Sequence, residues 1–207
     1  MPSSKAGPAP PNGRILVFTA PSGAGKTTLV HHLLDTYPNR VAFSVSATTR
    51  KARANEVDGR DYYFLTPEDF RARVDRGEFL EYEEVYADQY YGTLNSEIDR
   101  IWAEGKVVLF DVEVKGATAI RDRYPEATCA VFVAPPSEEV LFGRLRNRGT
   151  EDVESLKKRI ARAAEELNYR NRFDLVLVND DLATAKREAE AIAERWMLPQ
   201  PPQEPRD

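Results

Sequence analysis

The chain holds a single cysteine, Cys129. No disulfide can form within it, and a lone thiol in the apolar run Cys129 to Val133 reads as a small buried hydrophobe. That agrees with a reducing compartment. No apolar run approaches the length that spans a membrane, and the N-terminus carries no apolar signal core. The expectation is a soluble, cytoplasmic protein with no membrane partner. Positive charge is not in excess: 29 lysines and arginines face 34 aspartates and glutamates, a net charge of -5. Nothing in that balance calls for a nucleic-acid partner. The two histidines, His31 and His32, are adjacent; neighbours cannot share a helix face, which argues against a paired metal site. What remains is an ordinary composition, 42% hydrophobic and 30% charged over 207 residues. It suffices for a sizeable core in one domain with insertions.

One stretch organises the rest. Ala20-Pro21-Ser22-Gly23-Ala24-Gly25-Lys26-Thr27-Thr28 follows a β-branched apolar run, Ile15 to Thr19, and precedes a helical pattern, Leu29, Val30, Leu33 and Leu34. Strand, glycine-rich turn, Lys-Thr and helix together make a phosphate-binding loop. Gly23 and Gly25 can take backbone angles closed to other residues, so successive N–H groups can line an anion-binding concavity. The helix N-terminus adds partial positive charge. Lys26 can reach the β- and γ-phosphates, and the Thr27 hydroxyl can bind Mg²⁺. Ala20 stands where the pattern G-x-x-x-x-G-K-[ST] has its first glycine, which alanine can replace only at negative φ.

Strands are expected over Ile15 to Thr19, Val41 to Ser46, Phe79 to Tyr86, Val107 to Phe110, Cys129 to Val133 and Leu175 to Val178. Helices are expected over Lys26 to Tyr37, from Thr66-Pro67 to Gly77, Leu94 to Glu104, Ser137 to Asn147, Thr150 to Leu167 and Leu182 to Trp196. Tyr90-Tyr91-Gly92-Thr93 reads as a turn. Apolar strands alternating with helices give an α/β fold with a parallel sheet, whose ligands sit at the carboxyl ends of the strands. The phosphate loop, Ser46, Asp111 and Asn179 lie at those ends. A hydrophobic strand tipped by Asp111 suits the Mg²⁺ shell of a phosphate-loop enzyme, and Glu113 falls on the same side if the strand continues. The proposed layout is a disordered arm over 1–13, a core over 14–46, 94–146 and 168–198, an α+β insertion over 47–93, a lid over 147–167 and a disordered tail over 199–207. The lid's apolar positions, Leu156, Ile160, Ala163, Ala164 and Leu167, make a thin stripe, as a loosely attached element would.

Ser46-x-Thr48-Thr49-Arg50-x-x-Arg53, followed by Glu56-x-x-Gly59-x-x-Tyr62-x-Phe64, resembles the nucleoside-monophosphate segment of guanylate kinases. Tyr90-Tyr91-Gly92-Thr93, Arg148-Gly149-Thr150 and Val178-Asn179-Asp180-Asp181 are similar to further motifs of that family, and the likeness runs from about Arg14 to Trp196. The resemblance implies a P-loop NTPase-type sheet flanked by helices, with a small nucleotide-binding insertion and a helical lid. It implies transfer of the γ-phosphoryl of ATP to GMP, giving ADP and GDP. It places residues 20 to 28 and Asn179, an adenine contact, on ATP. It places Arg50, Arg53, Tyr62 and Tyr91 on the GMP phosphate, and Ser46, Glu81, Thr93 and Glu113 on guanine. Lys26, Arg50, Arg144, Arg148 and Arg159 would serve catalysis. Mg²⁺ would lie on Thr27 and, through water, Asp111.

The base chemistry is consistent with this. Guanine offers two adjacent donors that one carboxylate accepts, and adenine lacks that pair. The family usually carries aspartate where Glu113 stands. A homodimer is the assembly left open. Two other readings exist: an inactive guanylate-kinase-like protein-binding module, and a same-fold kinase for another monophosphate such as AMP. The intact Lys26 and Thr27 weigh against the first, and the pairing of Glu81 with Thr93 weighs against the second.

Overall fold

The computed structural model describes residues 13–147 and 153–197. Its strands are β1 (Ile15–Thr19), β2 (Val41–Phe43), β3 (Ala47–Thr48), β4 (Tyr63–Phe64), β5 (Phe79–Tyr86), β6 (Gln89–Leu94), β7 (Val107–Asp111), β8 (Thr128–Ala134) and β9 (Leu175–Val178). Its helices are α1 (Lys26–Thr36), α2 (Pro67–Asp75), α3 (Asn95–Ala103), α4 (Val114–Arg123), α5 (Glu138–Asn147), α6 (Val153–Leu167) and α7 (Leu182–Met197).

Five strands form one parallel sheet in the order β2-β7-β1-β8-β9. Side chains along a strand alternate between faces, and β1 uses both. Leu16 and Phe18 join an apolar cluster with Leu29, Leu33, Leu141 and Ala189. Ile15 and Val17 join a second, with Ile98, Ile101, Ala117 and Ile120. The sheet is thus covered on both sides, as parallel sheets are. In register, Phe18 lies beside Asp111. The Asp111 carboxylate therefore leaves the sheet next to the loop that follows β1.

A second sheet, β4-β3-β6-β5, belongs to the insertion. It has its own small core of Ala47, Phe70, Phe79 and Leu94, with Phe70 stacked on Phe79 at 4.2 Å between ring centroids. The α2 boundaries follow the expected chemistry. The Thr66 hydroxyl accepts from the Asp69 N–H at 3.1 Å, Pro67 opens the helix, and Gly77 closes it at φ 68.

Four sequence expectations change. Gln89 to Leu94 is a strand and not a turn. The reversal is two residues earlier, at Ala87-Asp88, where Asp88 takes φ 59. Gly92 misleads because its missing side chain serves close strand packing: a Cβ there would lie 2.7 Å from the Glu81 carbonyl oxygen. The strand from Val41 ends at Phe43; the Ser44 N–H still donates to Leu109 of β7 at 3.2 Å, and the backbone groups after it are claimed elsewhere. The Val45 N–H donates to Glu97 at 3.1 Å, and the Ser46 carbonyl accepts from the Tyr63 N–H at 2.9 Å. An apolar run such as Leu175 to Val178 is expected to be a buried strand, but β9 is a sheet edge: Leu177 is buried, while Leu175, Val176 and Val178 are about 40% exposed. Finally, α6 is seated and not loosely attached. Ala163 is buried, and Leu156, Ile160 and Leu167 pack on the central cluster. Helix α4 is an addition, lying in a stretch the sequence reading left unassigned.

Candidate active site

The loop after β1 turns on its two glycines. Gly23 has φ 90 and Gly25 has φ 92, both left-handed. Ala20 is buried, and Asp88 is the one described non-glycine residue at positive φ, so alanine meets the condition set for that position. Gly25 is also the N-cap of α1 and offers no side-chain cap. The first-turn N–H groups of α1 therefore have no side-chain cap at Gly25, as an anion-binding helix start requires. Beneath the loop lies Asn179, 5% exposed, whose amide donates to the Ala24 carbonyl at 2.7 Å. Asn179, which the resemblance places on adenine, braces the loop from below. Arg144, which the resemblance places over the transferring phosphoryl, donates to the Asn179 carbonyl at 3.1 Å and supports the same brace. Arg148 lies outside the described residues.

This packing yields a prediction. A Cβ on Gly25 would sit 2.2 Å from the Asn179 amide nitrogen, at a backbone angle that L-residues avoid. Gly25→Ala should therefore cost about 2 kcal/mol or more in thermal or denaturant melts, and should raise the KM for ATP well above any change for the acceptor.

Two cavities open at the strand ends. The first, about 320 Å³, is walled by Ala20 to Gly23, Gly25 to Thr28 and, from α6, Arg159, Arg162 and Glu166. Arg159 donates to the Ser22 hydroxyl at 3.4 Å, so this lid arginine already reaches the phosphate loop. The second, about 500 Å³, is walled by Ser46, Tyr62, Glu81, Tyr91, Asp111 and Gly116, among others. Both volumes are in the range of small-molecule sites. Lys26, Glu113 and Arg162 line both. The Lys26 ammonium pairs with Asp111 and donates to the Val112 carbonyl at 3.2 Å, so it stands where the cavities meet.

Glu81 lines the second cavity, and the buried Thr93 hydroxyl behind it donates to Glu81 Oε1 at 2.7 Å. Burial pushes the Glu81 carboxyl above its ordinary value, against the pull of that bond. Gly116 on α4 lines the same cavity, and a Cβ there would meet Glu81 Oε2 at 3.6 Å, in ordinary contact. Beside the cavity, Arg50 is held in a fork by Glu56 at 3.0 and 2.9 Å. Its guanidinium also lies 5.3 Å over the Tyr62 ring, and the neighbouring Tyr91 helps to raise its pKa after the larger effect of Glu56. Burial raises the Tyr62 hydroxyl above its ordinary value, so it stays a donor. Arg53 is exposed, and its N–H donates to Glu56 at 2.8 Å. Glu56 thus orients the Arg50 guanidinium and fixes the backbone at Arg53.

Glu113 corrects one argument. The strand ends at Asp111 and Glu113 caps α4, so strand alternation does not govern it. Glu113 lines the second cavity, and its carboxylate pairs with Arg162 on α6. Arg162 also bonds Glu166 at 3.1 Å; burial raises the Glu166 carboxyl above its ordinary value, while Arg162 and the nearby Ser22 N–H pull it down. Sequence reasoning gave neither residue a role. Their i,i+4 spacing was the available signal. Both Arg162 and Glu113 are more than half exposed; such a pair contributes at most about 1 kcal/mol, weak enough to open and close.

Outside the site, His32 pairs with Glu190 at 2.5 Å while His31 is exposed. Among the described residues no cluster of His, Cys, Asp and Glu could hold a metal by itself. No described helix is long and apolar enough to cross a membrane.

The family model for guanylate kinase matches residues 12–195. The guanylate kinase of Salinibacter ruber is 54% identical over 179 residues, 86% of this chain and 94% of the relative. That of Porphyromonas gingivalis is 49% identical over 171 residues, 83% of this chain and 91% of the relative. Among solved structures, the guanylate kinase of Anaplasma phagocytophilum is 30% identical and superposes with a TM-score of 0.65, covering 90% of this chain and 87% of that one.

Proposed function

The chain belongs to the guanylate kinase family and is a nucleoside-monophosphate kinase, and we propose how its residues divide the reaction ATP + GMP = ADP + GDP. ATP places its phosphates on the loop from Ala20 to Thr28, in the first cavity. GMP enters the second, its guanine against Glu81, Thr93, Ser46 and Glu113 and its phosphate against Tyr62, Tyr91, Arg50 and Arg53. The observation that carries this reading is that Lys26 lines both cavities. A donor and an acceptor phosphate can meet end to end only where the two spaces join.

No group placed for covalent catalysis is needed. Phosphoryl transfer is driven by holding both phosphates in line and surrounding the developing charge with fixed positive groups. Lys26 supplies one such group and Arg159, at Ser22, a second; Arg148 would add a third by resemblance. Asn179 and Arg144 act from beneath by fixing the loop. Thr27 and Asp111 offer hard oxygen donors at the mouth of the loop, and Mg²⁺ suits such a set when substrate phosphates and water complete its shell. When bound there, Mg²⁺ offsets negative charge on the β- and γ-phosphates. The setting we propose is cytoplasmic. The one thiol, Cys129, is buried and pushed up to about 12, so it is chemically quiet.

The direct test is ADP release from ATP and Mg²⁺ with GMP, AMP, CMP or UMP as acceptor. Turnover on GMP far above the rest is expected. Equal turnover on AMP would overturn the guanine assignment of Glu81 and Thr93.

A further inference from the structure

Glu97, on α3, is 2% exposed and lines neither cavity. A carboxylate so buried persists only when bonds replace its water. It accepts from the Val45 N–H at 3.1 Å, the Tyr63 hydroxyl at 2.7 Å, and Arg100 Nε and Nη2 at 2.9 and 3.1 Å. Arg100 is its neighbour at i,i+3 and could pair with it on an open surface. What burial adds is reach to the other two partners, which lie off the helix.

Those two are informative by position. Val45 precedes Ser46, and Tyr63 follows Tyr62; both Ser46 and Tyr62 line the second cavity. Adjacent residues of extended chain point opposite ways, so holding Tyr63 toward α3 turns Tyr62 toward the cavity. The helix itself starts two residues after Thr93, the partner of Glu81. Burial alone would raise the Glu97 carboxyl, yet the bonds from Arg100, Tyr63 and Val45 outweigh it and hold the group below its ordinary value. The carboxylate is ionised and fully occupied.

We propose that Glu97 is a positioning residue for the acceptor nucleotide, setting Ser46 and Tyr62 by anchoring their neighbours Val45 and Tyr63 to α3. It touches no substrate. The inference rests on the reading of the second cavity as the GMP site. It gives the insertion a fixed attachment to the core behind the bound base.

The test uses the full chain in steady-state assays with both substrates varied, with thermal melts in parallel. Glu97→Gln keeps the shape but puts a non-accepting nitrogen where an oxygen accepted. Tyr63→Phe keeps the ring and loses one hydroxyl. Glu97→Gln should raise the KM for GMP about tenfold and Tyr63→Phe about threefold, each with the KM for ATP within about twofold of wild type. A purely structural role would move both constants together. The double variant should bind GMP no worse than Glu97→Gln alone, because the two act along one connection. An unchanged KM for GMP in Tyr63→Phe, or equal shifts for GMP and ATP, would overturn the inference; if Glu97→Gln does not fold, Tyr63→Phe decides alone. Wild type in the same assay separates the two layers. Failure to phosphorylate GMP would overturn the functional reading and this inference with it, whereas an active wild type with unaffected variants overturns the inference only.

Discussion

Lys26→Ala should cut turnover by about a hundredfold or more while leaving the fold intact. Removing one fixed group that stabilises transition-state charge has that size of effect. Lys26 has an added burden here, since it borders both cavities and, in the proposed arrangement, would face the phosphates of both nucleotides. Its removal also frees Asp111, 13% exposed, from its cationic partner. An unpaired carboxylate at the junction would repel the incoming phosphates, so the loss should exceed that of a positive charge alone. Initial rates at saturating ATP and GMP, with circular dichroism as the folding control, make the measurement. Near-normal turnover would remove Lys26 from the mechanism.

The second large effect belongs to Glu81. Glu81→Gln should raise the KM for GMP by about ten- to a hundredfold and leave ATP nearly unaffected. A charge-assisted bond of this kind is worth about 1.5–3 kcal/mol, and the glutamine nitrogen would face a guanine donor. The same residue predicts a pH dependence. Only ionised Glu81 can accept both guanine donors, and burial raises its pKa. GMP binding should therefore weaken on acidification at a higher pH than an ordinary carboxylate would allow. Glu81→Gln should lose that limb and keep only the titration of the GMP phosphate. The stability term has the opposite sign. With the folded pKa raised, the contribution of Glu81 is fully present below its unfolded value and is lost as pH rises through the folded one. An effect of Glu81→Gln confined to ATP would contradict the assignment.

How much of this was legible in the sequence follows from the range of the interactions. The phosphate loop was legible because its signal is local: two glycines, Lys26 and the flanking strand and helix are consecutive. Strand β7 and its terminal Asp111 were legible for the same reason. The hairpin of β5 and β6 was half legible. Gly92 carries a turn signal, but its small size serves a neighbouring strand that the local sequence does not show. Asn179 and Arg144 were found as polar residues near the site, yet their direction depends on contacts across the sheet, with Ala24 and with each other.

Glu97 was missed because a charged residue on a helix is ordinarily taken as solvated. Its place one turn before Ile101 and beside Ile98 put it on the buried face, and that was the available signal. Arg162 and Glu166 were read as part of a charged helix. Their roles come from Glu113 and Ser22, which are far off in the chain.

The central claim is geometric: two nucleotides lie in two cavities joined at Lys26, with their phosphates in one line. A dinucleoside polyphosphate carrying adenosine at one end and guanosine at the other tests it most directly, by inhibition kinetics against each substrate in turn. The account predicts competition with both ATP and GMP, and affinity well above that of either nucleotide alone, because one molecule fills both spaces. Competition with ATP only, or with GMP only, would mean that the two cavities are not joined as described, and would contradict the account.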